Sequence, residues 1–174
     1  LGQGDYQNLN QALKQSYQAL SEAYIDTRKV IDDLRLGPQE DLASWLTQLA
    51  KTLERDHGIP IQCNFTEDIP TLSPEIQVQL LRIIQEALNN IRKHSHANQV
   101  AINVHYWNEN VVIEVQDDGQ GFLPEEVPEM SRYGLRGMRE RSEAIGADFQ
   151  VVSQPGQGTT VRLLLPVPQQ EARD

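Results

Sequence analysis

The sequence predicts an α/β (α+β) fold: a two-layer sandwich in which a mixed, mostly antiparallel sheet carries helices on one face, preceded by a long bundle-type helix. Three observations lead there. Elements follow in the order helix, strand, helix, hairpin, helix, hairpin, and hairpins dictate antiparallel neighbours. The strand segments alternate or run apolar over five to eight residues, whereas the helical segments repeat their apolar residues at steps of three and four. Upstream of all of them, a stripe of larger residues recurs every seven positions and stops at Leu36-Gly37-Pro38.

Asp5 to Leu36 reads as the long helix. Leu13, Leu20, Thr27 and Leu34 fall seven apart, and Ser16 with Tyr17, Ala23 with Tyr24, and Val30 with Ile31 widen the stripe. That breadth suits a helix bundle better than a strict two-stranded coiled coil, and it calls for a partner helix. Gly37 caps the helix and Pro38 prevents its continuation, which places a domain boundary there. Gln39 to His57 is a second amphipathic helix, with Leu42, Trp45, Leu46, Leu49 and Leu53 on its apolar face and Gly58 ending it. Ile61 to Phe65 alternates as a strand. Ser73 to His94 reads as one helix, with Ser73 as cap and Pro74 at the first helical position. Gln99 to Tyr106 and Val111 to Asp117 form a hairpin across Asn108-Glu109-Asn110. Phe122 to Gly134 shows no period and carries Pro124 and Pro128, so it reads as a mobile loop. Leu135 to Ile145 is a helix stopped by Gly146, and Phe149 to Ser153 with Thr159 to Leu165 makes a second hairpin. The segments are thus 1–37, a bundle helix; 38–166, the sandwich; and 167–174, a frayed polar tail.

Composition narrows the function. With 174 residues the chain is one domain plus an extra element, and its formal net charge of -10 argues against direct nucleic-acid binding. Glycine amides and helix ends can still hold phosphate locally. Cys63 is the single cysteine, so no internal disulfide forms, and its alternation with Ile61 and Phe65 makes it a small core residue. His57, His94, His96 and His105 lack the spacing and partners of a zinc site. No apolar run is long enough for a membrane span and no signal peptide opens the chain, so a cytoplasmic location is expected.

The chemistry gathers in four stretches. On the helix from Ser73, the residues Gln79, Arg82, Glu86, Asn90 and Lys93 share a polar face. A carboxylate and an amide oxygen lie one turn apart there, and Mg²⁺ takes a few protein oxygens together with substrate phosphates. Asp117-Asp118-Gly119-Gln120-Gly121-Phe122 sits at the end of a strand, where a carboxylate can accept from an amino group and glycines admit a ligand closely. Gly134-Leu135-Arg136-Gly137-Met138 opens a helix, whose free amides suit an anion. Gly156-Gln157-Gly158-Thr159 reads by itself as a hairpin turn.

Taken in this order and at these intervals, the four stretches resemble the nucleotide-binding domain shared by sensor histidine kinases, type II topoisomerases, Hsp90-like chaperones and mismatch-repair ATPases. The wording is most similar to sensor kinases of the nitrate/nitrite-sensor type. The phrases that carry it are Gln85-Glu86-Ala87-Leu88-Asn89-Asn90, Lys93-His94-Ser95-His96-Ala97, Tyr133 to Arg141, and Gly156 to Val161, and the resemblance covers roughly Pro38 to Pro166. It implies ATP and Mg²⁺ as ligands. Carried over by motif position, Asp117 takes the adenine amino group, Gly119 and Gly121 let the chain pass the base, and Thr159 sits nearby. Asn90 holds the metal, and Lys93 lies near the phosphates. Gly134 and Gly137 frame a lid whose amides, with Leu135 and Met138, meet the phosphate tail. Glu86 matches the acid that polarises water in hydrolysing relatives. His94 is read as structural or as a minor nucleotide contact, not as the phosphoacceptor.

One departure bears on activity. The family's phosphorylated histidine lies on the first helix of a dimeric hairpin, and no histidine precedes His57 here. Residues 5–36 match the second helix of that hairpin. The resemblance therefore implies a part of a larger homodimeric sensor that binds ATP and does not phosphorylate itself at the usual place. Its partners would be the missing phosphoacceptor helix and a response regulator with a helix-turn-helix output domain. The location would be cytoplasmic, either free or as the inner part of a membrane-bound sensor. Rival readings are an anti-sigma-type serine kinase, a stand-alone ATPase of the same fold, and a nucleotide-free dimerisation module.

Overall fold

The computed structural model describes residues 42–66, 68–126 and 133–167. The long helix expected over Asp5 to Leu36, the boundary at Gly37-Pro38 and residues 168–174 of the expected tail lie outside the described residues.

Five strands form one sheet in the order β1-β2-β3-β5-β4. They are β1 (Ile61–Phe65), β2 (Val100–Trp107), β3 (Asn110–Asp117), β4 (Asp148–Ser153) and β5 (Thr159–Pro166). Strands β1 and β2 pair in parallel, and every other pairing is antiparallel. A parallel pair needs a crossover rather than a tight turn, and helix α2 (Pro74–Asn90) lies in that connection. Asn108 and Glu109, with φ of 50° and 60°, supply the left-handed turn that matches strand twist between β2 and β3.

Alternation decides which face is covered. Ile102, Val104, Ile113, Val115 and Leu163 point inward and are buried against Leu80, Ile83, Ile84, Ala87 and Leu88 of α2. Helix α1 (Leu42–His57) adds Leu42 and Leu46 to the same core. The opposite face is mixed, with Val112 buried opposite Leu164 among polar residues. Asn64 donates to Asn103 Oδ1 at 2.8 Å, and Glu114, the acid inside an otherwise apolar strand, lies opposite Arg162 in an ion pair of 3.2 Å. The helices therefore lie on one face, as the pattern predicts. Cys63 packs against the core, and burial, followed by the charge of Glu54, pushes its thiol up.

Four assignments differ from the sequence expectation. The helix capped by Ser73, whose Oγ accepts from Ile76 N at 3.4 Å, is α-helical only to Asn90 and then widens into a π turn, Ile91–Ser95. Three hydrogen bonds accompany the widening: Ser95 Oγ donates to Ile91 O at 2.8 Å, and Gln120 donates its backbone N–H to Ser95 O (2.7 Å) and its Nε2 to His94 O (2.6 Å). Helix α3 runs Tyr133–Ala144 and so starts before Leu135. Within the loop expected from Phe122, Pro124–Glu126 forms one 3₁₀ turn, and residues 127–132 are outside the described set. Val167, assigned to the tail, is held by its N–H on Glu109 O at 2.8 Å and by Tyr106 Oη on its carbonyl at 3.1 Å.

Candidate functional site

Strand alternation carries Val111, Ile113 and Val115 into the core, and the same alternation turns Asp117, the last residue of β3, toward the helices. Asp117 is only 4% exposed. A buried carboxylate at a strand end is costly unless hydrogen bonded, and two backbone amides, of Gly119 (2.8 Å to Oδ1) and Thr159, supply part of what it needs. Burial nevertheless holds its pKa above the ordinary 3.8, with the charge of Asp118 adding to the rise and the amides of Gly119 and Thr159 opposing it. Remaining acceptor capacity faces a cavity of about 250 Å³.

Asp118 has the opposite character. It is exposed, and it accepts from the amides of Asn98 (2.7 Å) and Gln99 (3.0 Å), the Gln99 amide being the larger cause of its lowered pKa. Adjacent aspartates thus divide the work. Asp118 pins the start of β2 to the end of β3, and Asp117 looks into the cavity.

The cavity lies between α2 with its π turn, the end of β3, the start of β5 and helix α3. Ala87, Asn90, Ile91, His94 and Ser95 form one wall; Val115, Asp117, Thr159 and Val161 form the floor; Leu135 and Met138 close the α3 side; and Gln120, Gly121 and Phe122 form the rim. Apolar walls with a few convergent polar groups are the usual make-up of a small-molecule site. Two glycines allow the rim to close. Gly121 has φ +59°, and a Cβ there would run into Gln154 O; Gly158 has φ +74°, and a Cβ would run into Asp117 O. Gly156 N donates to Gln120 O at 2.6 Å, joining the same two loops.

Of the residues singled out from the sequence, Asn90, Asp117, Gly121, Leu135, Met138 and Thr159 meet at this cavity, and His94 joins them. Gly119 stands behind it, packed on Ser95. Glu86 and Gly134 are neighbours at the α3 side: a Cβ on Gly134 would come within 2.5 Å of Glu86 Oε1 and 3.4 Å of Asn90 Nδ2. Lys93 lies on the π turn outside the cavity lining. Gly137 lies within helix α3. Among the described residues, Gly134 and Leu135 fall in the first turn of this helix, and Gly137 lies one step beyond it. Its missing Cβ leaves room for Arg141.

Sequence reading missed the apolar wall of Ala87, Ile91, Val115 and Val161, whose spacing is indistinguishable from ordinary core. It also missed Ser153, a buried hydroxyl that accepts from Phe122 N at 2.9 Å and lies 2.9 Å from Thr159 Oγ1.

Comparison with known proteins is consistent with this geometry. Residues 75–169 match the family described as histidine kinase-, DNA gyrase B- and HSP90-like ATPase. The chain is 30% identical over 148 residues to the signal transduction histidine-protein kinase/phosphatase DegS of Brevibacillus brevis, covering 84% of this chain and 38% of that protein. It is 37% identical over 99 residues to the sensor protein VraS of Staphylococcus aureus, covering 57% of this chain and 28% of VraS. The chain thus spans less than four-tenths of the length of these relatives. Its fold is that of the histidine kinase domain from the Erythrobacter litoralis EL346 blue-light activated histidine kinase, with a TM-score of 0.64 at 20% identity over 79% of this chain and 70% of that one. With more than half of its residues matched, the chain belongs to the family of histidine kinase-, DNA gyrase B- and HSP90-like ATPases.

Proposed function

We propose that the chain is the ATP-binding catalytic part of a two-component sensor histidine kinase of the nitrate/nitrite-sensor type. It presents the γ-phosphate of ATP to a phosphoacceptor histidine on another helix of the intact sensor. The observation that carries the reading is the meeting of Asp117 and Asn90 at one cavity. A buried carboxylate there accepts the amino group of adenine. Set between Ala87 and Ile91 in the same cavity wall, the Asn90 carboxamide makes no capping bond to the turn that follows it and is available to a ligand.

Mg²⁺ fits this donor set only in company. Among the described residues, no group of three His, Cys, Asp or Glu side chains could hold a metal alone. The Asn90 oxygen supplies one ligand, so phosphate oxygens and water must complete the shell. When bound, the ion would neutralise phosphate charge. The chain's own part is positioning. Gly134 and Leu135 offer helix-start amides to the phosphate tail. Gly121 and Gly158 let the two rim loops approach each other beside the base, and Glu86, next to Gly134, would orient whatever approaches the γ-phosphate. Lys93, on the adjoining turn, adds positive charge near the phosphates. In transfer, a histidine nitrogen forms a bond to the γ-phosphorus as the bond to the bridging oxygen breaks and ADP leaves. The phosphoryl group then passes to an aspartate of a response regulator, one with a helix-turn-helix output domain.

The motif wording supports the nitrate/nitrite-sensor assignment, and the heptad stripe of residues 5–36 supports a homodimer in the intact protein. A cytoplasmic site of action follows from the need for ATP. Among the described residues no helix is long and apolar enough to cross a membrane. The test is an equilibrium titration of the chain with a non-hydrolysable ATP analogue in the presence of Mg²⁺. Binding at one site per chain, lost in Asp117→Asn, supports the proposal; absence of binding overturns it.

A further inference from the structure

Thr159 lines the cavity beside Asp117, and a hydroxyl can either donate to a ligand or accept from it. Ser153 decides which. Its side chain is on β4, 8% exposed, directly opposite Thr159 in the β4–β5 register. Three groups converge on its Oγ: Phe122 N at 2.9 Å, Gly158 O at 3.1 Å and Thr159 Oγ1 at 2.9 Å. A backbone N–H only donates and a carbonyl only accepts, so Phe122 occupies one lone pair of Ser153 and Gly158 O takes its single proton. Gly158 is itself buried, and a buried carbonyl left without a donor is costly. What remains to Ser153 is one lone pair, and the Thr159 proton must go there. Thr159 then turns only acceptor lone pairs to the cavity, beside a carboxylate that also accepts.

We infer that Ser153 is a positioning residue that sets the hydrogen-bond polarity of Thr159, and so makes the base end of the cavity accept only, selecting purines that carry an amino group at position 6 over those with a carbonyl oxygen there. The inference rests on the nucleotide reading above and deepens it. Ser153 touches no ligand; it acts through Thr159. The bond from Phe122 N gives it a second role in the same place, since it ties the Gly121–Phe122 rim to the Gly158–Thr159 turn.

The test compares ADP with inosine diphosphate, which differs by a carbonyl in place of that amino group. For the wild-type chain, calorimetric titration should favour ADP by about 100-fold, because the analogue loses one bond to a charged acceptor and sets oxygen against oxygen. In Ser153→Ala the Thr159 hydroxyl is released to rotate and donate, and the ADP preference should fall about tenfold, as expected for one hydrogen bond gained by the analogue. Ser153→Thr, which keeps the hydroxyl, should restore the preference. Thr159→Ala should lower the preference by a similar factor, and adding Ser153→Ala to it should change the ratio no further. A merely structural Ser153 would weaken both ligands equally, leaving the ratio within twofold of wild type; that result, or additive effects in the double variant, overturns the inference. Should Ser153→Ala not fold, Ser153→Cys carries the same comparison. A wild-type chain that binds neither diphosphate overturns the nucleotide reading itself, whereas one that binds ADP with a Ser153-independent preference overturns only the present inference.

Discussion

Exchanging the Asp117 carboxylate for an amide replaces one oxygen by an amino group at the cavity floor and should separate binding from folding. The Gly119 N–H, 2.8 Å from Oδ1, can keep its bond to the amide oxygen of Asn. The nitrogen would then face the cavity as a donor, against the amino group of adenine. A hydrogen bond to a charged partner contributes about 1.5–3 kcal/mol, so Asp117→Asn should weaken ATP on the order of 100-fold. Folding should respond in the other direction. Burial raises the Asp117 pKa above the ordinary 3.8, so the folded chain keeps this proton where the unfolded chain has lost it. The corresponding stability is complete below pH 3.8 and is lost as pH climbs through the raised folded value. Removing the buried charge removes that loss. The ligand-free variant should therefore melt at or above the wild-type temperature at pH 7, a trade of stability against binding typical of functional sites. Nucleotide affinity of the wild type should grow with pH over the same window, because binding uses the ionised carboxylate. Calorimetric titration and thermal unfolding at several pH values give both quantities. Undiminished ATP affinity in a folded Asp117→Asn, or a variant that loses binding only because it unfolds, would refute the reasoning.

Other outcomes follow from the same geometry. Asn90→Ala should leave nucleotide binding in chelator unchanged and remove roughly a tenfold gain that Mg²⁺ gives the wild type, since its oxygen serves only the metal; paired titrations with and without Mg²⁺ read this directly. Gly121→Ala forces a Cβ into Gln154 O at φ +59° and should cost at least about 2 kcal/mol in denaturant unfolding as well as nucleotide affinity. Asp118→Ala should spare affinity but flatten the acid limb of stability. Its carboxylate, held below 3.8 by the Gln99 and Asn98 amides, stabilises the fold above pH 3.8, and that contribution is lost as pH falls through the lowered value. Urea midpoints at neutral and acid pH would show wild type and variant converging toward low pH.

What could be read in advance divides along a physical line. Periodicity exposed the elements because burial acts on whole faces: the apolar run from Val111 predicts a strand ending at Asp117, whereas the side on which Asp117 lies emerged only with the fold. The glycines of the Asp117–Phe122 stretch pointed to close backbone approach, and a Cβ at Gly119 or Gly121 would indeed clash; Gly158, legible only as a turn glycine, is as tightly packed. Features set by a single long-range hydrogen bond left no pattern. The π turn after Asn90 is tied to Gln120, which bonds the carbonyls of His94 and Ser95, and nothing in the run Ile91 to Ser95 announces it. Ser153 looks like any strand serine until Phe122, Gly158 and Thr159 are brought around it. The division of labour between Asp117 and Asp118 was equally hidden, because adjacent acids differ only in which face the strand end gives them.

The most direct measurement is a crystal structure of the chain with a non-hydrolysable ATP analogue and Mg²⁺. The adenine amino group should lie within hydrogen-bond distance of the Asp117 carboxylate, with the Asn90 oxygen on the metal and the phosphates toward Gly134. A nucleotide bound elsewhere on the domain, or one in this cavity that leaves both side chains untouched, would contradict the reading.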